Sequence, residues 1–253
     1  MLTEERRNQI LAQAYTEGFV RTSALVQQFN VSEVTLRSDL QELERRGRLT
    51  RTRGGAMTTH SDPGKTTFDS RLIRNKAEKQ RIALAAAELL SGNQTVIFDA
   101  GTTVLALAHH MPPVTGLTVL TPGLNIAQHL LRTEGVDVVM IGGPVDPDTL
   151  STHWPVSMPG EGALTAHTAF VGSHSIDADL DLVDVSLEAA ASKRRLVNAG
   201  RRVVLLVDSS KWGGHAAAKI VGLSAIDVVI TDKALADGLA REIRNAGPEL
   251  ILV

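Results

Sequence analysis

The chain has 253 residues, enough for a small domain plus a larger one, and its 43% hydrophobic content is ordinary for soluble globular proteins. A net charge of −2 excludes a chain that is basic throughout, and the lack of cysteine excludes disulfides and thiolate metal sites. Because no segment approaches the roughly 18 consecutive apolar residues of a membrane helix, and the N-terminus lacks a signal-peptide core, we expect a cytoplasmic protein.

Two helices are predicted at the start of the chain. The first spans residues 4–17, where Ile10 and Leu11 are apolar anchors. Thr22 or Ser23 is expected to cap a second, short helix that runs through residue 29.

A third helix is predicted over residues 33–46. Ser32 is a polar N-cap, and Gly47 is a natural stop. At 100° per residue, three leucines share a stripe that is expected to face the core: Leu36, Leu40 and Leu43. The opposite stripe and its flanks are available for binding: Val34, Ser38, Gln41 and Arg45, flanked by Thr35 and Arg37.

Residues 48–57 read R-L-T-R-T-R-G-G-A-M, and this alternation before a glycine pair predicts a small β-hairpin wing. Its arginines are expected to face a phosphate backbone: Arg48, Arg51 and Arg53. Positive charge is concentrated in this part of the chain, since residues 34–55 hold six arginines and three acidic residues.

The stretch S-E-V-T-L-R-S-D-L, from Ser32 to Leu40, is followed by Gly47, the basic residues and a Gly-Gly-Ala. It resembles the N-terminal winged helix-turn-helix of the DeoR family of bacterial transcription regulators. The resemblance implies DNA contacts from one set of residues: Ser32, Val34, Thr35, Arg37, Ser38, Gln41, Arg45, Arg48, Arg51 and Arg53. The family usually has a second arginine where Ser38 stands, so one phosphate or base contact is absent here.

A polar segment without periodicity, residues 58–67, follows the wing and contains a Pro-Gly pair. We interpret residues 1–57 as a winged helix-turn-helix domain, 58–67 as a linker and 68–253 as a second domain. His60 has no partners at metal-ligand spacing, so we expect a solvated linker residue and not a ligand.

Beyond the linker, seven apolar runs of strand length alternate with Ala- and Leu-rich helical stretches. Runs that are apolar on both faces and separated by helices indicate a mostly parallel sheet covered on both sides. The predicted fold class is therefore α/β and Rossmann-like. The strand candidates are residues 95–98, 117–120, 136–141, 168–171, 203–207, 228–230 and 250–253.

Polar loops follow several of these strands, and ligands of open α/β sheets bind at the carboxyl ends of strands. The loop D-A-G-T-T, residues 99–103, offers backbone N–H groups and two hydroxyls for a phosphate at a helix N-terminus. Other such loops are 121–125, Gly142-Gly143, 172–174 and D-S-S-K-W at 208–212. Gly and Thr also occur at strand ends simply because they form turns, so each loop alone is a weak signal of ligand binding.

In this order, and together with F-D-S-R at 68–71, N-K-A-E-K at 75–79 and E-A-A-A-S-K-R at 188–194, the loops resemble the effector-binding domain of the DeoR family. The resemblance implies a sugar-isomerase-like domain that senses a phosphorylated sugar or related metabolite, without cofactor, metal or catalytic residues. The effector-binding positions that it implies are Arg71, Lys79, Asp99, Gly101, Thr102, Thr103, Thr121, Gly142, Gly143, Lys193, Asp208 and Lys211.

Three departures from the family pattern leave the fold prediction unchanged, but because of them the resemblance does not fix the identity of the effector. The family commonly has Ser at Ala100, Asn-Ser at Pro122-Gly123 and Gly at Ser175. These changes are compatible with a bulkier, less common or unphosphorylated effector.

Several residues also have a structural interpretation. Lys193 and Arg194 would then form a solvated helix face, and Asp208 would pair with Lys211. The pair His109-His110 is expected at a helix C-terminus.

Two further features are ambiguous. Trp154 either stacks on a sugar ring or packs. The acidic run of residues 177–184 lacks the pattern of a calcium loop, so it is expected to form an exposed loop and an edge strand.

We predict a transcriptional repressor of carbohydrate-metabolism genes that is released by a phosphorylated sugar. The weak field of one monomer favours a homo-oligomer, a dimer or tetramer, on double-stranded operator DNA. One alternative is a phosphosugar isomerase-like enzyme with a DNA-binding head, for which Asp99, Asp208 and Lys193 are candidates. Another is a ligand-binding module whose N-terminal domain contacts proteins.

Overall fold

The computed structural model describes residues 2–17, 19–58, 68–154 and 165–253, which form two compact units, Met1–Arg74 and Asn75–Val253. The predicted linker lies outside the described residues, His60 included, except that Thr58 ends a strand. The boundary between the two units falls after Arg74, whereas the sequence analysis starts the second domain at residue 68. The reason is that Phe68 is buried and Ile73 packs on the hydrophobic core of the first unit.

The first unit is a winged helix-turn-helix, as predicted. Its core includes the three leucines of the third helix, each at most 2% exposed. Its elements are α1 (Thr3–Glu17), β1 (Phe19–Arg21), α2 (Thr22–Phe29), α3 (Glu33–Arg45), β2 (Leu49–Thr52), β3 (Gly55–Thr58) and α4 (Phe68–Ile73).

Strand β1 is not predicted by the sequence analysis, because three residues are too few to show a strand pattern. It pairs antiparallel with β3, so the wing is a three-stranded sheet of order β1-β3-β2. Gly55 of β3 lies so close to β1 that an added Cβ would stand 2.0 Å from the carbonyl oxygen of Val20. Only glycine permits this close approach of the two backbones.

The start of α2 differs from the prediction that Thr22 or Ser23 is its N-cap. The N-cap is Arg21, and both predicted residues lie in the first turn of the helix. This shift arises because β1 runs directly into α2. The N–H of Thr22 instead donates to the carbonyl of Gly54 in the wing turn at 2.9 Å.

The second unit is built on a seven-stranded parallel sheet of order β15-β14-β12-β9-β4-β5-β6, and all seven predicted strands are confirmed. Its elements are α5 (Lys76–Ala87), β4 (Thr95–Phe98), α6 (Thr102–His109), β5 (Leu117–Thr121), α7 (Leu124–Leu130), β6 (Val136–Met140), β7 (Val145–Asp146), β8 (Ser151–Thr152), β9 (Ala166–Val171), β10 (Ser175–Ile176), β11 (Asp181–Asp184), α8 (Leu187–Ala199), β12 (Gly200–Leu206), β13 (Ala218–Gly222), β14 (Val228–Thr231), α9 (Asp237–Asn245) and β15 (Glu249–Leu252).

The predicted covering of the sheet on both faces is incomplete at one edge. Strand β6 is an edge strand, and its residues Val139 and Met140 are 45% and 36% exposed. Among the described residues, no helix is both long and apolar enough to cross a bilayer.

The acidic run at residues 177–184 forms a turn and strand β11. The prediction of an edge strand is wrong here, because β11 lies between β10 and β13 in a separate antiparallel sheet. Leu182 and Val183 are buried in it. The Asp177 carboxylate accepts the N–H groups of Asp179 and Asp181 at 3.0 and 2.9 Å, so it stabilises the turn.

His109 lies at the predicted place, the C-terminal end of α6. Its ring meets the ring of His129 of α7 edge to face, with centroids 4.2 Å apart. Burial and, less strongly, the positive charges of His129 and His110 lower the pKa of His109 below 6.5. The ring of His110 is hydrogen bonded through Nδ1 to the carbonyl of Ala106 at 2.8 Å.

This lowered pKa makes the stability of the second unit dependent on pH. As the pH falls below about 6.5, the unfolded chain takes up the His109 proton first, so stability that is present above this pH is lost below it. We expect a His109→Gln variant to lose less stability than the natural chain between about pH 7.5 and about pH 5.5. Guanidinium unfolding followed by tryptophan fluorescence measures this, and equal losses would contradict it.

Candidate DNA interface and effector crevice

The start of α3 is fixed by Ser32, as predicted. Its hydroxyl oxygen accepts the N–H of Thr35 at 3.1 Å and lies 2.8 Å from the Thr35 hydroxyl. Both predicted contact residues therefore define where the helix begins.

The outer stripe of α3 is open to solvent. Val34 is 78% exposed, which is unusual for a large apolar side chain, and Ser38 and Gln41 are also exposed. The side chains of Arg37 and Arg45 are 68% and 73% exposed, and each forms a salt bridge with a glutamate of its own helix. Exposed pairs of this kind contribute little to stability, and each arginine keeps further N–H donors for a second anion.

The inner stripe of α3 holds a buried carboxylate that the sequence analysis does not assign. Asp39 is 1% exposed and accepts Nε–H of Arg6 at 2.6 Å and of Arg7 at 2.9 Å. These ion pairs tie α3 to α1. The sequence carries a signal for them, because Asp39 falls on the stripe of the three leucines, where only a paired charge is tolerated.

The three predicted wing arginines differ in their surroundings. Arg51 and Arg53 are exposed, the latter at the hairpin turn. The backbone N–H of Arg51 donates to the Glu44 carboxylate at 3.0 Å, which joins the wing to α3. Arg48 is half-buried and forms an ion pair with Asp69, so it is less available than the other two.

The order of the large sheet reverses at one point, and the strand ends at this point are the candidate ligand-binding edge. Strands β4, β5 and β6 follow one another in one direction, and β9, β12, β14 and β15 in the other, so the order reverses between β4 and β9. Open α/β sheets bind ligands outside the carboxyl ends of the strands at such a switch point. Asp99 and Gly172 stand at these two strand ends.

Lys193 of α8 closes the switch point. Its Nζ donates to Oδ2 of Asp99 at 2.6 Å and to the carbonyl of Gly172 at 2.9 Å, while the Gly172 N–H donates to Asp99 at 3.1 Å. The side chains of Lys193 and Asp99 are 11% and 5% exposed. Lys193 is therefore not part of a solvated helix face. Arg194 is exposed, as the alternative interpretation predicts, and it donates to the carbonyls of Lys219 and Ile220.

The loop 99–103 carries further predicted residues to the same edge. Gly101 is the N-cap of α6, Thr102 is buried in its first turn, and Thr103 is half-buried. The N-terminus of α6 therefore begins two residues after the Asp99 carboxylate, where its N–H groups favour an anion.

The neighbouring strand ends are also polar. Thr121, which is fully buried, accepts the N–H of Gly123 through its hydroxyl at 3.0 Å. Gly142 and Gly143 follow β6, and Gly143 has φ 144°, which favours glycine. Thr152 donates its hydroxyl to the carbonyl of Ile141, so β8 lies over these strand ends.

Asp208 follows β12 and is 2% exposed. Its Oδ1 accepts Nδ2–H of Asn75 at 2.8 Å and the N–H of Ser210 at 3.1 Å. The adjacent N–H of Ser209 donates to Asp232 at 2.6 Å, and this bond contributes to a lowered Asp232 pKa against the opposing effect of burial. Asn75 and Asp232 are not assigned by the sequence analysis, and only the long-range fold brings them to Asp208.

The remaining predicted effector residues are placed differently. Lys211 lies in the 3₁₀ turn Ser209–Lys211, and its carbonyl accepts the Ser175 hydroxyl at 3.0 Å. Lys79 is buried on α5. Arg71 belongs to α4 of the first unit, with its guanidinium 5.9 Å from the ring centre of Phe68, so it is not among the residues that the sheet brings together.

Trp154 packs against the core of the second unit. The backbone N–H of Trp154 donates to the Ser192 hydroxyl at 2.9 Å, and the backbone carbonyl of Trp154 accepts a hydrogen bond from the Arg195 guanidinium at 3.0 Å. These contacts assign Trp154 a packing role, one of the two predicted alternatives.

Together the two units define a DNA-binding regulator that carries its own sensor. Residues 6–62 match the DeoR-like helix-turn-helix domain, and residues 74–233 match the DeoR C terminal sensor domain. The chain belongs to the DeoR family of transcriptional regulators, which confirms the resemblance seen in its motifs.

Known proteins similar to the chain include regulators of nearly the same length. The HTH-type transcriptional regulator GolR of Listeria innocua is 31% identical over 98% of this chain and 97% of its own. The glycerol-3-phosphate regulon repressor of Escherichia coli is 30% identical over 92% of each chain. Among solved structures, a ribose 5-phosphate isomerase from Methanocaldococcus jannaschii has a TM-score of 0.39 and 14% identity over 55% of each chain. The chain is thus a transcriptional regulator and not an enzyme.

Proposed function

We propose that this regulator represses genes of carbohydrate metabolism by holding an operator through α3 and the wing, and that a phosphorylated sugar releases it. The observation that carries the proposal is the exposed polar stripe of α3 on a winged helix-turn-helix. The name of the glycerol-3-phosphate regulon repressor supports the class of effector. We place the regulator in the cytoplasm, with its DNA.

Within the DNA interface, position along α3 separates two kinds of contact. Val34 and Ser38 occupy the N-terminal half of the helix, which enters the major groove in helix-turn-helix proteins, and Gln41 follows about one turn later. Val34 offers a methyl contact to thymine, and Ser38 and Gln41 offer hydrogen bonds to base edges. Arg45 lies eleven residues after Val34, about 16 Å further along the helix, so we assign it to a backbone phosphate.

The other exposed polar groups bind the DNA backbone. They are Ser32, Arg37, Arg51 and Arg53, together with the half-buried Thr35 and with Arg48 after release from Asp69. One head supplies few cations, so the operator is bound by a dimer or tetramer with repeated half-sites.

We place the effector at the switch point of the large sheet. The phosphate is bound by Lys193 and the N–H groups at the start of α6, with hydroxyls from Thr102, Thr103 and Thr121. The carboxylates of Asp99 and Asp208 accept hydrogen bonds from sugar hydroxyls. Gly142 and Gly143 leave room beside them, while Lys79 and Lys211 complete the set of charges within the second unit. Arg71 belongs to the first unit and is not assigned to this crevice.

The hydrogen bond between Asn75 and Asp208 supplies a route from this crevice to the heads. Asn75 is the first residue of the second unit and follows directly on Arg74 of the first. An effector that takes the Asp208 carboxylate competes with the Asn75 amide at 2.8 Å. A shift between two head arrangements requires an effector with different affinity for each, and we infer that the Asn75–Asp208 bond is made in only one of them.

Operator selection followed by release tests the proposal. The full chain is used to select sequences from random DNA, and the selected operator is titrated with paired free and phosphorylated sugars, including glycerol and glycerol 3-phosphate, with inorganic phosphate as the control. We expect at least one sugar phosphate to weaken operator binding by tenfold or more and to raise the Tm, while its free partner does neither. Selection of no sequence would refute operator binding, and a panel without effect would refute the effector.

A further inference from the structure

A chain of alternating charges joins the buried side of the first unit to the exposed end of α3. We call it the ion ladder, and its members in order are Arg6, Asp39, Arg7, Glu4, Arg46, Glu42 and Arg45. Each neighbouring pair is hydrogen bonded at 2.6–3.0 Å. The ladder passes between α1 and α3 three times if Arg46, the C-cap of α3, is counted with its helix, so it fixes α3 against α1.

The exposed end of the ladder is joined by several hydrogen bonds. Arg46 binds both oxygens of Glu4 at 3.0 Å and donates to Glu42 at 2.7 Å. Glu42 in turn accepts two bonds from Arg45, at 2.8 and 2.7 Å. Hydrogen bonds from Arg45 and then Arg46 lower the pKa of Glu42 to about 2, so it stays charged at neutral pH.

The position of Arg45 therefore depends on groups outside the predicted recognition surface. The bidentate pair uses two of the five guanidinium donors of Arg45 and leaves the outer edge for another anion. Long side chains lose rotamer freedom when they bind, and a side chain that is already held loses less. An arginine held at both Nε and Nη2 is thus prepared for a phosphate, while an unheld arginine is not.

We propose that Glu4 of α1, acting through Arg46 and Glu42, is a positioning residue that holds Arg45 ready for a DNA phosphate. The inference rests on the proposed function, since it assumes that Arg45 contacts DNA. It assigns to an acidic residue on a different helix a favourable role in binding a polyanion. Simple electrostatics requires the opposite, because loss of a negative charge strengthens attraction to DNA.

Positioning and simple electrostatics predict opposite changes in DNA affinity when the Glu4 charge is removed, so one affinity measurement distinguishes them. We expect Glu4→Gln to weaken binding of the selected operator about three- to tenfold at constant salt, in full-length protein. Glu5→Gln is the matched control: it removes the same charge from the next residue of α1, which is exposed and outside the ladder. It is expected to bind as tightly as the natural chain or more tightly. A Glu4→Gln variant that binds as tightly as Glu5→Gln overturns the proposal.

A double-mutant cycle separates positioning from direct contact. Arg45→Ala should lower the slope of log affinity against log salt by about 0.9 for each bound head, as expected for one lost phosphate contact per head. In that background, neither Glu4→Gln nor Arg46→Met should weaken binding further. If Arg46 itself contacts phosphate, adding Arg46→Met to Arg45→Ala doubles the loss of slope to about 1.8 for each bound head, and the assignment of Arg46 to the ladder is refuted.

A measurement without DNA tests whether Glu4 holds Arg45 separately from whether the protein binds an operator. The Nε–H resonance of Arg45 should be protected from solvent exchange in the natural chain and in Glu5→Gln, and should lose that protection in Glu4→Gln. Unchanged protection overturns the ladder even if the operator is bound. Failure of the natural chain to bind any DNA refutes the proposed function, while the exchange result still decides whether Glu4 holds Arg45.

Discussion

The Asp39→Ala variant is expected to lose about 3–5 kcal/mol of stability in the first unit, because the change leaves Arg6 and Arg7 without their shared buried carboxylate. Arg6 is only 7% exposed and Asp39 only 1%, so solvent cannot replace the lost partner. A loss of this size is a large share of the stability of a small domain. We therefore expect the first unit to be largely unfolded at 37 °C, with loss of operator binding.

The two units can be followed separately, which makes this prediction measurable. Both tryptophans, Trp154 and Trp212, belong to the second unit, so their fluorescence reports unfolding of that unit. Hydrogen exchange of peptides from α1 and α3 reports the first unit. Fast exchange there with an unchanged tryptophan transition is the expected result. Glu5→Ala is the control for loss of an acidic residue in the same unit, and an Asp39→Ala variant as stable as this control would show that the ion pairs are dispensable.

The Lys193→Met variant is expected to lose about 3–5 kcal/mol of stability in the second unit and to lose effector binding. The substitution leaves the Asp99 carboxylate buried with the Gly172 N–H but without its cation. Guanidinium unfolding followed by tryptophan fluorescence measures the change. The control is Lys219→Met, which removes a lysine with a 59% exposed side chain from its ion pair with Asp181 and should cost less than about 1 kcal/mol.

A double variant tests whether the cost of Lys193→Met comes from the stranded charge. Asp99→Asn combined with Lys193→Met removes both charges, so we expect it to be more stable than Lys193→Met alone. Effector binding should remain absent in the double variant, because the cation is still missing. A double variant that is less stable than either single variant would show that the pair acts through packing and not through charge.

The sequence predicts what depends on local pattern and misses what depends on distant pairing. The helices and parallel strands follow from periodicity and caps, and the Ser32 cap and leucine stripe are found where expected. Strand β1 and the Arg21 cap of α2 depend on pairing of β1 with β3, which comes more than 30 residues later in the chain. No local pattern shows this pairing. The central place of β11 has the same cause, since β13 is contributed by a later part of the chain.

The candidate sites divide in the same way. Asp99 and Lys193 are both identifiable from motifs, but their contact depends on which strands are neighbours in the sheet. Asn75 and Asp208 are 133 residues apart, so their hydrogen bond has no sequence signal. The ion ladder is partly visible: a charged residue among three buried leucines requires a partner, although the sequence does not say that the partner is on α1.

The order of the large sheet also has a consequence for how the protein is made. The strands on the two sides of the switch point come from separate stretches of the chain, β4 to β6 from residues 95–140 and β9 to β15 from residues 166–252. Pairing of β9 with β4 closes a long loop, which is a slow step in folding. During synthesis, the winged helix-turn-helix is complete at Arg74, well before β9 leaves the ribosome. A nascent regulator thus acquires its DNA-binding unit before its sensor domain.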